Sequence, residues 1–142
     1  MRRDRATPMT PPSSDQELDL QVSPLKDCPS TPNCVCTLAS RSEQAMPPLP
    51  FQGSAARAID SVAMLLESQP RVRLLERRED YLHVVFASLV FRFKDDVEFY
   101  ADEQRGLLHF RSASRLGFTD LGANRRRMER ISELLILKLK NG

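Results

Sequence analysis

The distribution of proline and aromatic residues is the sequence feature that most constrains how this chain can fold. Nine of the ten prolines lie within residues 1–50, whereas all nine aromatic residues and all five glycines lie from Phe51 onward. A segment rich in Pro, Ser and Thr but without aromatics cannot bury enough apolar area to offset its ordering entropy. We therefore predict a disordered N-terminal tail over residues 1–25, an irregular Cys- and Pro-rich arm over residues 26–50, and a folded domain over residues 51–142.

Hydrophobic periodicity predicts the elements of the folded domain. Apolar residues at helical spacing indicate a helix over residues 53–68, capped by Gly53 or Ser54. Strands follow over residues 71–77, residues 81–90, "DDVEFYA" and "LLHFRSA". A last helix over residues 121–140 has Asp120 as its N-cap, and its inner stripe holds Leu121, Asn124, Met128, Ile131, Leu134 and Leu135. The order predicts an α+β fold, a four-stranded antiparallel meander with two helices packed on one face.

The register between the last two predicted strands decides which polar side chains face each other. A shared apolar face is obtained by pairing Phe99 with Leu108 and Val97 with Phe110 across the hairpin loop "DEQRG". On the other face this register gives two opposite-charge pairs, Glu98 with His109 and Asp96 with Arg111. The sequence therefore predicts an ordered polar face on this hairpin.

The segment "RSASRLGFTDLGANRRRMER" concentrates arginines at the start of the last predicted helix. Cations are unfavourable there because this end of the helix macrodipole is positive, so something should offset them. In a structural interpretation, nearby carboxylates lock the helix to the sheet through forked pairs. In a functional interpretation, the helix start, hydroxyls and arginines bind a phosphate or carboxylate. Both stay open, and the predicted ligand-binding residues are Asp96, Glu98, Arg111, Ser112, Ser114, Arg115, Asp120, Asn124, Arg125 and Arg127.

All three cysteines lie within "DCPSTPNCVC". Structural zinc sites use four ligands, commonly in closely spaced Cys pairs, and this cluster offers only three thiols at a different spacing. Cys28 and Cys34 can form a disulfide in an oxidising compartment, whereas reduced structural thiols in a Pro- and Asn-shaped turn are the state expected in a cytoplasm. We predict no metal and no cofactor.

The catalytic candidates are few. His109 beside Glu98 would make an acid/base pair, because a carboxylate partner raises the pKa of a histidine. His83 is expected to be satisfied or exposed on its strand. Asp95 and Asp96 are adjacent on a strand, so they point to opposite faces and cannot act as a catalytic pair. No recognisable catalytic motif is present, and a redox or hydrolytic enzyme that uses Cys28 and Cys34, or His109 and Glu98, stays the alternative.

Composition narrows the expected partners and location. The chain has 21 basic and 19 acidic side chains, a net charge of +2, so only a local cluster of charge would favour a nucleic acid or an anionic membrane. Acids are interleaved with the arginines, and no nucleic acid partner is expected. No apolar run of about 18 residues is present, so no membrane span is expected. The N-terminal residues lack the apolar stretch of a secretory signal, which leaves a cytoplasmic location as the expectation.

Three segments, "CPSTPNC", "DDVEF" and "RSASRLGFTDLGANRRRME", together resemble the uncharacterised family catalogued as domain of unknown function 1499. The resemblance spans about residues 28–135 and implies no established activity, cofactor or substrate. It implies an alternative location, associated with the envelope or the thylakoid, as in the apparent relatives. It also implies that Cys28 and Cys34 belong to a shared turn and that Cys36 is an addition.

Together these features predict a non-enzymatic binding or scaffold domain. Its polar site is expected to take a small anion or an acidic protein segment.

Overall fold

The computed structural model describes residues 23–90, 92–117 and 119–141 of the 142-residue chain. In chain order the elements are β1 (Cys34–Cys36), a 3-10 turn (Ser42–Gln44), β2 (Leu49–Pro50), α1 (Ala55–Glu67), β3 (Val72–Arg78), β4 (Tyr81–Ala87), β5 (Lys94–Asp102), β6 (Leu107–Ser114) and α2 (Ala123–Asn141). The disordered tail predicted for residues 1–25 falls almost entirely outside the described residues; Leu25, which is described, is buried.

One antiparallel sheet of six strands organises the fold, in the order β1-β6-β5-β4-β3, with β2 also paired to β6. The α+β class is confirmed, whereas the prediction of four strands is wrong. The two additional strands come from the Cys- and Pro-rich arm, where Val35 pairs with Ser112 and Leu49 with Leu108. Runs of two or three residues show no periodicity, so the sequence pattern misses them. They nevertheless satisfy backbone groups that β6 would otherwise leave unpaired at its edge.

The two faces of the sheet bury different residues. The main core joins both helices to alternate positions of β4, β5 and β6, and its most buried members are Ile59, Val62, Leu82, Val97, Phe99, Leu108, Phe110, Met128, Ile131 and Leu135. A second apolar cluster lies on the opposite face, where the arm packs, and contains Leu25, Cys28, Cys34, Cys36, Tyr81, Tyr100 and Ala113. We call these the helix face and the outer face. The arm thus contributes to both the sheet and its outer covering.

The sequence predicts the N-cap of α1 correctly, whereas Asp120 lies two residues before the N-cap position of α2. The Ser54 hydroxyl accepts a hydrogen bond from the Arg57 amide at the start of α1. The Asp120 carboxylate accepts from the amides of Gly122 (2.8 Å) and Asn124 (3.1 Å), but α2 begins at Ala123 and not at position 121. Leu121 is instead 81% exposed in a left-handed turn with φ of 55°, so its predicted place on the inner stripe is wrong.

The predicted register between β5 and β6 is wrong by two residues. Phe99 pairs with Phe110, and Glu98 pairs with Arg111 rather than with His109. By the same shift, the partner of Asp96 is Ala113 and not the predicted arginine. The strands are joined by four residues, 103–106, whereas the predicted register would leave only two in the turn. A shift of two keeps every side chain on its face, so the apolar pattern fits both registers equally well.

Candidate functional site

The predicted site residues fall into two groups on opposite faces of the sheet. Ser112, Ser114, Asp120, Asn124, Arg125 and Arg127 lie where β6 meets the start of α2, and we call them the helix-side cluster. Asp96, Glu98, Arg111 and Arg115 lie on the outer face, and we call them the outer-face cluster. Asp95 and Asp96 do point to opposite faces, Asp95 toward α2 and Asp96 toward the outer face. The predicted residues therefore do not form a single pocket.

Asn124 is the centre of the helix-side cluster and is fully buried. Its Oδ1 accepts hydrogen bonds from Ser112 Oγ (2.6 Å) and Arg127 Nη1 (2.8 Å). The two N–H groups of its Nδ2 are shared among three acceptors, Ser114 Oγ (2.9 Å), the Asn33 carbonyl (3.1 Å) and Asp120 Oδ2 (2.5 Å). One amide thus connects the arm, β6 and the start of α2, and both of its polar atoms are satisfied, as burial requires.

Arg127 locks α2 to the sheet. Its Nη2 donates to Asp95 Oδ2 at 2.7 Å, and both side chains are about 85% buried, with exposures of 15% and 12%. The guanidinium also lies over the ring of Phe86, 4.9 Å from its centroid. A carboxylate on β5 therefore offsets this cation at the helix start, as in the structural interpretation of the arginine-rich segment.

Arg125 has a different environment. Its guanidinium donates to the backbone carbonyls of Glu43 (2.8 Å) and Ala45 (3.4 Å), and in the described part of the chain it has no carboxylate partner. It lines a cavity of about 180 Å³ between the arm and the start of α2, together with Asp120 and Gln44. The charge of Arg125 is thus directed to carbonyl dipoles at the edge of a cavity and is not neutralised by an ion pair.

Gln44 is a residue of this cavity that the sequence does not single out. It is only 3% exposed, and its Nε2 donates to the carbonyls of Pro29 (2.6 Å) and Thr31 (3.0 Å). Its Oε1 is buried and accepts no hydrogen bond from any described atom. The fixed position of Nε2 leaves Oε1 as an acceptor without a donor, which is a costly arrangement in a protein interior. No periodicity in the Pro-rich arm could have indicated this residue.

Asn33, which the sequence places only in a turn, connects the arm to the segment that precedes α2. Its Nδ2 donates to the Gly117 carbonyl at 2.8 Å, and its Oδ1 accepts from Thr31 Oγ1 at 2.8 Å. The residue is 6% exposed. Because its backbone carbonyl also accepts from Asn124, it joins the arm to two other segments.

Asp96 is held by Arg115 and His83 in the outer-face cluster. Arg115 donates to it through Nε (2.8 Å) and Nη2 (3.0 Å), and His83 Nε2 lies 2.8 Å from its Oδ1. These bonds, chiefly those of Arg115, hold the pKa of Asp96 below its usual value. Asp96 in turn raises the pKa of Arg115. The forked geometry makes this pair a local clamp between β5 and the chain after β6.

Glu98 is the second carboxylate of the outer-face cluster that has partners within the chain. It accepts from the Tyr81 hydroxyl at 2.5 Å and lies 3.6 Å from Arg111 Nη1. Burial, and then the bond to Glu98, raise the pKa of Tyr81. The Nε of Arg111 is buried and has no partner among the described atoms. The outer-face cluster is therefore a set of intramolecular pairs.

The predicted acid/base pair of His109 and Glu98 is not formed. His109 Nδ1 lies 2.9 Å from Thr37 Oγ1, and its ring stacks on Tyr100 with the centroids 6.4 Å apart. Burial lowers the pKa of His109, which is the opposite of the shift that a neighbouring carboxylate would produce. The prediction is wrong because the register places Arg111 opposite Glu98.

Cys28 and Cys34 are joined by a disulfide, and both are buried. The expectation of a reduced pair therefore differs from the structure. Cys36 is a free thiol with no exposed surface, and burial raises its pKa. A thiol that is inaccessible and protonated is a poor nucleophile. Among the residues that the structure describes, no three His, Cys, Asp or Glu side chains are placed to hold a metal ion.

The fold and these clusters define an α+β domain in which a disulfide-closed arm is fastened to a sheet and a helix start. The chain belongs to the family described as "Protein of unknown function (DUF1499)", which matches residues 24–135. The match confirms the resemblance and includes both the arm and the helix-side cluster. No curated protein and no solved structure matches the chain significantly. Within the described ranges, neither helix combines the length and the apolar character needed to cross a membrane.

Proposed function

We propose that this chain is a non-enzymatic binding domain that takes a small anion, or the carboxylate of an acidic partner segment, in the cavity beside Arg125. One contrast among the arginines supports the proposal. Arg127 and Arg115 contact carboxylates at 2.7 and 2.8 Å, and Arg111 lies 3.6 Å from one. Among the described residues Arg125 bonds to carbonyl oxygens and to no carboxylate, so its charge is not neutralised by an ion pair.

The cavity also restricts which anion fits. At about 180 Å³ it is smaller than the roughly 300–1,000 Å³ of sites for drug-sized ligands. Two acidic residues, Glu43 and Asp120, line the same cavity; they disfavour a doubly charged ligand, and a carboxylate there can accept a hydrogen bond from a ligand hydroxyl. We therefore propose a monoanion that carries its own hydroxyl, such as dihydrogenphosphate or bicarbonate.

The other predicted site residues are assigned a positioning role in this proposal. The Asn124 and Arg127 bonds hold the start of α2 against the sheet, which fixes Arg125 at the cavity. The Asp96–Arg115 pair holds the chain that leads from β6 toward α2. In this arrangement the surrounding residues hold the Arg125 side chain in place, and no nucleophile or general base is required.

The disulfide also supports a location. The cytoplasm keeps thiols reduced, whereas disulfides persist in oxidising compartments. We therefore propose the envelope- or thylakoid-associated alternative over the cytoplasmic expectation, on the basis of the Cys28–Cys34 bond.

Amide chemical shifts of the full chain, recorded while phosphate is added below neutral pH, test the anion site. We expect shifts in the amides of Gln44 and of residues 120–125, with chloride as the control anion that lacks a hydroxyl. Arg125→Gln should weaken phosphate binding about tenfold or more, because a charged hydrogen bond is lost. Arg126→Gln is the matched control, since within the described ranges its side chain bonds to the Leu121 carbonyl alone and does not line the cavity.

Two results would overturn the anion site. One is the absence of shifts near the cavity at millimolar phosphate. The other is an equal loss of affinity in Arg125→Gln and Arg126→Gln, which would mean that phosphate samples the surface charge and not the cavity. The amide spectrum of each variant also reports whether the arm has kept its contacts with α2.

A further inference from the structure

Four basic side chains converge at the end of the sheet where β4 and β5 are joined. Arg71, Arg73, Arg92 and Lys94 are exposed and line a cavity of about 290 Å³. The sheet places them together on the outer face, because Arg73 pairs with Val85 and Lys94 pairs with Ala87. No Asp or Glu lines this cavity, and none of the four cations has an ion pair among the described residues. We call this group the basic end.

Large apolar side chains project at the same end. Leu89 and Val90 are 69% and 76% exposed in the connection between β4 and β5, and Phe93 is 59% exposed. This connection is closed by the Ser88 amide, which donates to the Phe93 carbonyl at 2.9 Å. Leu116 is 79% exposed and follows Arg115, whose amide donates to the Lys94 carbonyl at 3.1 Å. Exposed apolar residues grouped in this way indicate an interaction surface.

The opposite end of the sheet carries the reverse charge. Glu79, Asp80, Asp102 and Glu103 line a cavity of about 440 Å³ at the turns after β3 and β5. Two cations near that end are paired with acids, Arg78 with Glu76 at 3.0 Å and Arg105 with Asp102 at 3.1 Å. Although the net charge is only +2, basic and acidic side chains are thus separated along the direction of the strands. In the field of an anionic surface, this separation turns the basic end toward the surface.

We propose that the basic end docks on an anionic membrane surface. The cations face the lipid phosphates, while Leu89, Val90 and Leu116 enter the headgroup region. Basic residues near an anionic leaflet and apolar side chains at the interface add to one another in membrane binding. A nucleic acid would contact the cations but would leave these aliphatic side chains in water. The surface does not include Arg125 or its cavity, so the inference stands apart from the proposed function.

Flotation of the full chain with lipid vesicles tests the docking. We expect binding to vesicles of phosphatidylcholine with phosphatidylglycerol, weak binding to phosphatidylcholine alone, and loss of binding as salt rises above about 0.15 M. Replacing three of the cations by Arg73→Gln, Arg92→Asn and Lys94→Gln should reduce binding on the order of 100-fold, from about fivefold per basic residue. Asn is used at position 92 because its backbone is left-handed, with φ of 58°.

The matched control removes three exposed cations from the helices, by Arg57→Gln, Arg130→Gln and Lys138→Gln. Its net charge equals that of the test variant, so it should bind within about threefold of the unmodified chain if the basic end is the docking surface. Leu89→Ser with Val90→Ser should also weaken binding to the anionic vesicles, because the apolar contribution is lost.

A fluorescent reporter gives a second readout that does not depend on removing charge. The chain contains no tryptophan, so a single Trp reports its own environment. Val90→Trp should shift its emission to shorter wavelength when anionic vesicles are added. Met64→Trp on α1, where the native residue is 64% exposed, should show no shift.

Three outcomes would overturn the proposal. These are an absence of binding to anionic vesicles, an equal loss of binding in the test and control charge variants, and unchanged binding after the Leu89 and Val90 substitutions. The last outcome, together with competition by soluble polyphosphate, would assign the basic end to a soluble polyanion.

Discussion

Asn124 connects three segments that are distant in the sequence. Its partners include the Asn33 carbonyl, 91 positions away, and the Ser112 hydroxyl on β6. Both partners are buried, so the amide provides hydrogen bonds that water cannot replace. Asn124 thus fixes α2 on the sheet through hydrogen bonds, whereas the apolar stripe of α2 does so elsewhere through packing.

Asn124→Ala should therefore destabilise the protein by about 3 kcal/mol, since the Ser112 hydroxyl and Arg127 Nη1 both lose the acceptor Oδ1 of Asn124. Urea unfolding measures the change. Glu133→Ala, at an exposed position on the same helix, should change the free energy of unfolding by less than about 0.5 kcal/mol. If Asn124→Ala behaves like this control, the amide does not hold the cluster together.

The sequence indicates Asn124 because it is a polar residue on an apolar stripe. It does not indicate that Asn33 is the partner, because no local pattern relates residues 91 positions apart. For the same reason, the sequence does not indicate Gln44 or the cavity beside Arg125. Side chains of an irregular arm acquire their environment only when the arm pairs with β6.

At the scale of elements, the sequence predicts the helices and strands that are long enough to show a hydrophobic pattern and misses those that are too short to show one. The period of 3.6 predicts α1 and α2, alternation predicts β5 and β6, and a continuous apolar run predicts β4, because each of these buries at least one face. β3 is also predicted, although none of its residues is fully buried. The short strands β1 and β2 follow from the free edge of β6 and have no pattern of their own. The β5–β6 register is ambiguous in the sequence, because a shift of two residues leaves every apolar side chain buried.

The disulfide constrains the arm, because it closes the turn that leads into β1. Without reductant, one thiol, that of Cys36, should react after denaturation, and none should react in the native protein. After reduction, all three should react. Reduction should also lower the free energy of unfolding by about 2 kcal/mol, the value for a short loop.

Cys28→Ser with Cys34→Ser should reproduce that loss without reductant, and added reductant should then have no further effect. Alkylation of thiols before cell lysis shows the state of the pair in its compartment. Three alkylated cysteines in that sample would contradict both the bond and the proposed oxidising location.

At the scale of the whole molecule, the sheet has one covered and one open edge. The arm covers β6, while β3 has no strand on its other side in the described part of the chain. Leu74 and Leu75 on β3 are 54% and 43% exposed, which would favour pairing with a second copy. An irregularity between Leu74 and Glu76 and the charges of Arg73 and Glu76 oppose such pairing.

Arg73→Val with Glu76→Val should therefore cause self-association, because the edge strand loses its charges and gains β-branched residues while the net charge is unchanged. Sedimentation velocity in the micromolar to millimolar range should show dimers or larger species that increase with concentration. Arg57→Val with Glu133→Val makes the same chemical change on the helices and should leave the sedimentation of the protein unchanged. Equal association of the two variants would trace the effect to surface hydrophobicity, and no association of either would mean that the irregularity at Leu75 alone protects the edge.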